Sequence, residues 1–421
     1  MRDRRPRDHR SQRERIVRLL IVGAGGVGTA VAKTIAKWNL FGEVVVADAL
    51  GDRAARAIAG AGPRFSAATV DASNERALTD LMVASGTTVV LNALDPRFVM
   101  PVFNAAFAAH VTYLDMAMSL STPHPTDPYS ATGRMLGDDQ FAKSAAWEEQ
   151  GLLALCGMGI EPGMSDVFAR YAADSLFSSI DEIGVRDGAN LAVAGYDFAP
   201  TFSIWTTIEE CLNPPIIYER DRGWFTTPPF SEPETFVFPG DIGPVECVNV
   251  EHEEVLLIPR WVDCNRVTFK YGLGDEFIQV LSTLHKLGLD STSPVAVGGA
   301  SVAPRDLVAA CLPNPAEIGD LITGVTCAGT WITGTGVDGA PREVYLYHLA
   351  DNEWTMREFG SQAVVWQTAL NPIVALELLD SGAWDGAGVL GPEALPAQPF
   401  LDLVNAHGSP WGMEERTARS V

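Results

Sequence analysis

Residues 17–48 read VRLLIVGAGGVGTAVAKTIAKWNLFGEVVVAD, and their order decides the fold. The apolar run at 16–22 predicts a short buried strand. Gly23-Ala24-Gly25-Gly26-Val27-Gly28 follows at once. Residues 29–38 then place Ala30, Ala32, Ile35 and Ala36 where a helix packs, and 43–47 is a β-branched run ending in Asp48. Strand, glycine turn, helix, strand and acid, in that order, make a dinucleotide-binding pattern. Gly23 permits the tight turn, Gly25 lets backbone approach a pyrophosphate, and Gly28 lets helix and strand pack closely. Gly26 and Val27 open the helix, whose free N–H groups and dipole favour phosphate. Asp48 stands 20 residues past Gly28, where a carboxylate accepts from ribose hydroxyls. The cofactor is therefore NAD or NADP. NAD is favoured, because a carboxylate there repels a 2′-phosphate, although Arg53 is close enough in sequence to accommodate one.

The alternation continues outward. Strands are expected at 87–91, 112–114 and 151–155, with helices at 74–85, 101–109 and 166–175. Such alternation predicts a doubly wound parallel sheet of the Rossmann type, with ligands at the carboxyl ends of its strands. Asn92 and Ala93 end one strand and are expected to touch cofactor. Asp115 ends another, and Glu161 follows the last, in GMGIEPG at 157–163. The long polar segment 119–141 leaves the same edge and is read as a lid.

From 179 onward the pattern changes. Apolar runs at 181–185, 255–258, 267–271 and 344–349, separated by Pro and Gly, predict strands of a mixed sheet. Helices are expected at 277–287 and 304–312, and an amphipathic helix at 362–379 interrupted at Pro372. The fold class is thus α/β: an N-terminal Rossmann sheet with an inserted α+β substrate domain and a C-terminal helix returning to the first domain. The expected divisions are a basic arm at 1–15, the nucleotide domain at 16–178, a substrate and dimerisation domain at 179–360, and a returning segment at 361–421. Two chain crossings between domains would suit hinge closure.

Composition excludes several functions. The 421 residues carry a formal charge of −23, which argues against nucleic acid, since phosphate binding needs clustered Lys and Arg. No apolar run is long enough for a membrane span. The first fifteen residues hold seven Arg and three acids, so the arm is +4 and the remainder −27. It reads as a disordered arm, or as leader to a start codon mis-set ahead of Val17. The six cysteines form no C-x-x-C pair, and with no secretory signal they imply reduced thiols and a cytoplasmic protein. His252-Glu253-Glu254 begins like a zinc H-E-x-x-H, but position 256 is Leu, so no metal is expected.

Several strings together resemble the saccharopine dehydrogenase-like family: GAGGVG at 23–28, VVLNALDP at 89–96, TYLDMAM at 112–118 and GMGIEPGMSDVFARYA at 157–172. VEHEEVLLIPRW at 250–261, VAPRDLVAACLPNP at 302–315 and QTALNPIVALELLDSGAW at 367–384 extend the likeness over nearly the whole chain. The resemblance implies hydride transfer between nicotinamide and the carbon of a C–N bond, in an amino-acid-derived amine or imine of the saccharopine or L-lysine class. The alternatives are a carboxynorspermidine-type dehydrogenase of polyamine synthesis, a non-catalytic NAD-binding regulator, and a homospermidine-synthase-type transferase. It also implies a homodimer through the second sheet. Proton transfer needs an acid or base, and Asp115, Glu161 and His252 are the candidates. A substrate carboxylate needs a cationic fork, for which Arg260, Arg305 and Lys270 are the candidates. Trp261 and Tyr271 are possible walls of the pocket.

Overall fold

The computed structural model describes residues 17–416. The basic arm at 1–15 lies outside this range. β1 (Arg18–Val22), β2 (Glu43–Asp48), β3 (Phe65–Thr69), β4 (Val89–Asn92), β5 (Thr112–Asp115) and β6 (Leu153–Leu155) form one parallel sheet. Its order is β6-β5-β4-β1-β2-β3, with the late strand Gly388–Leu390 added beside β6. The strand order reverses between β1 and β4, which leaves a crevice at their carboxyl ends. β1 and β4 are buried almost throughout, as strands covered on both faces must be. Helices α1 (Gly26–Trp38), α2 (Gly51–Ala57), α3 (Glu75–Ala84) and α4 (Val99–Ala109) supply that cover.

The second sheet has nine strands and is mixed. At its centre β7 (Phe177–Ala189) runs parallel to Arg266–Gly272 and antiparallel to Val325–Gly336. Pro341–Asp351 follows Val325–Gly336 as a long hairpin. Three expected strands fall inside these elements. The fourth does not: residues 255–258 belong to a helix, Glu254–Trp261. A four-residue apolar run fits a buried strand or a buried helix turn equally, and here two acids ahead of it favour a helix start. Val325–Gly336 escapes sequence reading because Gly and Thr fill it, where β-branched apolar residues are the usual signal.

The helix at Ala363–Ser381 differs from expectation twice. It runs unbroken through Pro372, and it is buried nearly all round where an amphipathic helix would show a polar face. Lying between α1 and the second sheet, it has no solvent side to require a polar stripe. The tail also does more than return. After Gly388–Leu390 joins the first sheet, Trp411–Arg416 pairs with Pro341–Asp351 of the second. The chain therefore crosses between sheets three times, where two were expected, and the helix Met164–Ser175 packs on β7 and Val325–Gly336.

Candidate active site

The glycine turn is built as its residues require. Gly23 has φ +108°, and a Cβ there would lie 2.6 Å from the Ala93 carbonyl oxygen. A Cβ on Gly28 would lie 1.9 Å from the Gly23 carbonyl oxygen, so any larger residue pushes helix from strand. At Gly25 a Cβ would meet nothing within 4 Å, which leaves the open cradle that a pyrophosphate needs. Asp48, 6% exposed, accepts from Ala24 N (2.9 Å) and Leu50 N (2.9 Å), one bond on each carboxylate oxygen. Each oxygen keeps a lone pair for a ribose hydroxyl. The Arg53 guanidinium stands 3.8 Å from the same carboxylate. Asn92 donates to the Tyr113 hydroxyl (3.3 Å) and accepts from Leu94 N (3.3 Å), so it shapes the turn beyond β4 while Ala93 and Leu94 face the crevice.

Beside this turn lies a cavity of about 260 Å³. Gly26, Val27 and Ala93 form one side, and Asn314, Pro315, Ala316 and Val365 another. Its polar lining includes Asp95, Glu161, Glu210 and Glu253, and none of the described Lys, Arg or His residues lines it. Glu161 also lines a second cavity of about 190 Å³, shared with Asp187, Tyr271 and Gln367. Burial pushes the Glu161 carboxyl well above the ordinary range, and repulsion from Asp187 and Glu254 adds to it. Burial likewise lifts Asp187 to about 7 and Glu210 to about 8.

Asp115 is placed differently from expectation. It is 1% exposed, and its oxygens take Gly157 N (2.7 Å) and the Gln140 amide (2.8 Å), while its carbonyl takes Met158 N (2.7 Å). It anchors the turn that presents Glu161 and does not line either cavity. His252 is 5% exposed and stacks on Phe269 with ring centroids 3.8 Å apart. Its Nδ1 lies 2.5 Å from a Glu254 oxygen. Burial alone would lower its pKa, but Glu254, Glu253 and Glu210 outweigh that and carry it to about 10. It is thus an imidazolium, the counter-ion behind the cavity's acids.

None of the three candidate carboxylate binders reaches a cavity. Arg260 donates to the Leu256 carbonyl (3.0 Å) and covers the Phe141 ring, in the last turn of its helix. Lys270 pairs with Glu234 at 3.1 Å, because alternation along its strand turns it to the opposite face from Phe269 and Tyr271. Arg305 is buried and spent on Glu209. Tyr271 does wall the second cavity; Trp261 walls neither. The segment 119–141 is a strap where a lid was expected: Ser121 donates to Glu251 (2.9 Å), and Thr226 to the Ala131 carbonyl (3.1 Å).

A nucleotide cradle opening onto a buried acid cavity between two sheets is matched by two family models in succession. Residues 19–155 match the saccharopine dehydrogenase NADP binding domain, and residues 159–409 the saccharopine dehydrogenase C-terminal domain. The chain belongs to the saccharopine dehydrogenase family. It is accordingly a nicotinamide-dependent oxidoreductase acting on carbon–nitrogen bonds. Among curated relatives of this family member, carboxynorspermidine synthase of Vibrio alginolyticus is 30% identical over 410 residues, covering 94% of this chain and 97% of that one. Carboxyaminopropylagmatine dehydrogenase of Synechocystis is 28% identical over 398 residues, with the same coverages of 94% and 97%. The solved saccharopine dehydrogenase (L-Glu forming) of Saccharomyces cerevisiae shares the fold at TM-score 0.67 and 14% identity, over 95% of this chain and 100% of that one.

Sequence reading missed Glu210, Glu253 and Asp187. The signal was there: Glu209-Glu210 is an acid pair inside a largely apolar helix, Glu253-Glu254 stands directly ahead of the apolar run 255–258, and Asp187 lies just past the apolar residues of β7. A buried acid on an apolar element must serve something, since burial of charge is costly.

Proposed function

We propose that this protein is a carboxynorspermidine-type dehydrogenase, exchanging hydride between a nicotinamide and the C–N carbon of a cationic, amino-acid-derived amine or imine. One observation carries the reading: among the described residues, the cavity beside the glycine turn is lined by Glu161, Glu210, Glu253 and Asp95, the last paired with Arg97 outside the lining, and by no Lys, Arg or His. A polyamine precursor is rich in ammonium groups and matches such walls. Saccharopine, a tricarboxylate, would meet like charge there, with no guanidinium among the described lining residues to receive it. The names of the two curated relatives point the same way.

Gly23, Gly25, Gly26, Val27 and Gly28 would hold the pyrophosphate, Asp48 the ribose, and Ala93 the nicotinamide end. The cofactor supplies the hydride chemistry. Glu161 is the proton-handling group, because among the described residues it is the ionisable side chain that borders both cavities, and burial raises its pKa so that the carboxyl holds a proton it can give. Asp115 positions it through the 157–163 turn, and His252 balances the charge behind it. Ser203, Thr206 and Asn314 are neutral donors for a substrate carboxylate, beside the N-terminus of the helix Ile204–Leu212.

The cofactor preference is for NAD through Asp48, with NADP admitted by Arg53. The protein acts as a homodimer through the second sheet, where Phe236, Val237, Trp331 and Arg416 line an open groove. No helix among the described residues is long and apolar enough to cross a membrane, and the cysteines are unpaired, which supports a cytoplasmic setting. The test is Glu161→Gln. It should cut kcat by about 10²-fold or more while nicotinamide affinity, read by calorimetry, stays within about twofold. Unchanged kcat would remove Glu161 from the mechanism.

A further inference from the structure

The cavity beyond Glu161 is lined by none of the glycine-turn residues, nor by Asp48 or Ala93. It is bounded by the ends of β7 and of the strand Arg266–Gly272, by Thr326 and Ala328, and by Val364 and Gln367 of the central helix. It shares Glu161 and Phe202 with the cofactor cavity, so a bound molecule can extend from one into the other.

Its polar groups are of one kind. Asp187 and Glu161 both line it and act on each other directly. Gln367 is 1% exposed, and its Nε2 is spent on His348, at 2.9 Å from Nδ1 and 3.0 Å from the carbonyl. Its Oε1 has no hydrogen-bond partner among the described residues, and the side chain faces this cavity. That oxygen is open to the cavity and free to accept, and two carboxyls side by side favour a cation placed between them. The chain's own cations do not answer. Arg186 and Lys270 flank Asp187 and Tyr271 in register but turn to the other face of the sheet, where Glu234 takes both. His252 acts on Asp187 from behind, but its ring nitrogen is bonded to Glu254 and it lines neither cavity. Phe202, Tyr271 and Phe277 supply apolar and aromatic walls that suit a methylene stem ending in a cation.

We propose that this second cavity is the seat of a primary ammonium at the far end of the substrate, received by Asp187, Glu161 and the Gln367 Oε1. Three acceptors meet the three N–H donors of an ammonium. The inference rests on the oxidoreductase reading above and adds to it the seat of the substrate's far end: the reacting C–N carbon stands in the first cavity and the primary amine joined to it by a short chain in the second. Asp187 and Gln367 are then the residues that discriminate a diamine-derived substrate from one with an uncharged tail.

Calorimetry on the full chain saturated with NADPH tests this with three probes: 1,3-diaminopropane, its isostere n-butylamine, and agmatine. The diamine should bind about tenfold or more tighter than n-butylamine, the worth of one charge-assisted hydrogen-bonded contact. Asp187→Asn should bring the ratio to about twofold or less. Leu191→Lys, which sets a cation on the cavity wall, should do the same and guards against a folding defect in the first variant. Equal affinity for diamine and n-butylamine, or a ratio that neither variant moves, would overturn the proposal. Agmatine binding tighter than the diamine would overturn the ammonium assignment in favour of a guanidinium. Nicotinamide absorbance with carboxynorspermidine separates this from the parent reading. Turnover with an unmoved ratio removes only the ammonium seat; a ratio that behaves as expected without turnover removes only the oxidoreductase assignment for that substrate.

Discussion

Asp48 shows how a single side chain serves two purposes. It ties Ala24 N and Leu50 N together, so it shapes the turn in addition to its proposed contact with the ribose. Asp48→Ala should therefore weaken NAD by about tenfold or more, and NADP less, because the 2′-phosphate already opposes the carboxylate. Arg53→Ala should do the reverse, weakening NADP while NAD holds. Fluorescence titration of both variants with both cofactors checks the pair; equal losses throughout would mean that neither residue reads the 2′ position. At this scale the sequence was legible where a motif fixes role by spacing, as from Gly23 to Asp48. It was not legible where a charge needs a partner from a distant segment. Arg260, Lys270 and Arg305 were reasonable carboxylate binders until Phe141, Glu234 and Glu209 came beside them.

Among elements, the glycine turn separates folding from binding. Gly28→Ala drives a methyl into the Gly23 carbonyl and should lower stability and abolish cofactor binding together. Gly25→Ala meets no protein atom, so the fold should keep its melting temperature while cofactor affinity falls about tenfold or more. Thermal melts with and without NADPH distinguish them, and a Gly25→Ala protein with unchanged affinity would remove the pyrophosphate from that cradle. The parallel sheet was readable because each strand and helix carries its own period. The run 255–258 and the helix Ala363–Ser381 were not, since burial on every side erases the period that tells helix from strand and face from face.

For the molecule as a whole, the buried acids in and behind the cavities set a pH dependence. Asp115, Asp187 and Glu251 at about 7, and Glu210 at about 8, hold protons in the fold that the unfolded chain gives up near 3.8 for Asp and 4.5 for Glu. Folded values raised in this way mean stability that is full below about pH 4 and is lost as pH rises through 7 to 8. His252, raised to about 10, has the same sign and loses its contribution at still higher pH. The melting temperature of the cofactor-free protein should thus fall between pH 6 and 8.5, while affinity for a cationic amine rises as the cavity ionises. A melting temperature that rises over that interval would contradict the burial of these acids. Light scattering should give twice the 45.2 kDa chain mass, and a clean monomer would remove the sheet-to-sheet dimer.

The central claim is oxidoreduction of a cationic amine at the cavity beside the glycine turn. Its most direct test follows formation of reduced nicotinamide with carboxynorspermidine, saccharopine and L-lysine in turn, each with NAD and with NADP. The account predicts turnover with carboxynorspermidine, little or none with saccharopine, and loss of turnover in Glu161→Gln. No change with any of the three amines, while calorimetry shows the cofactor bound, would contradict it.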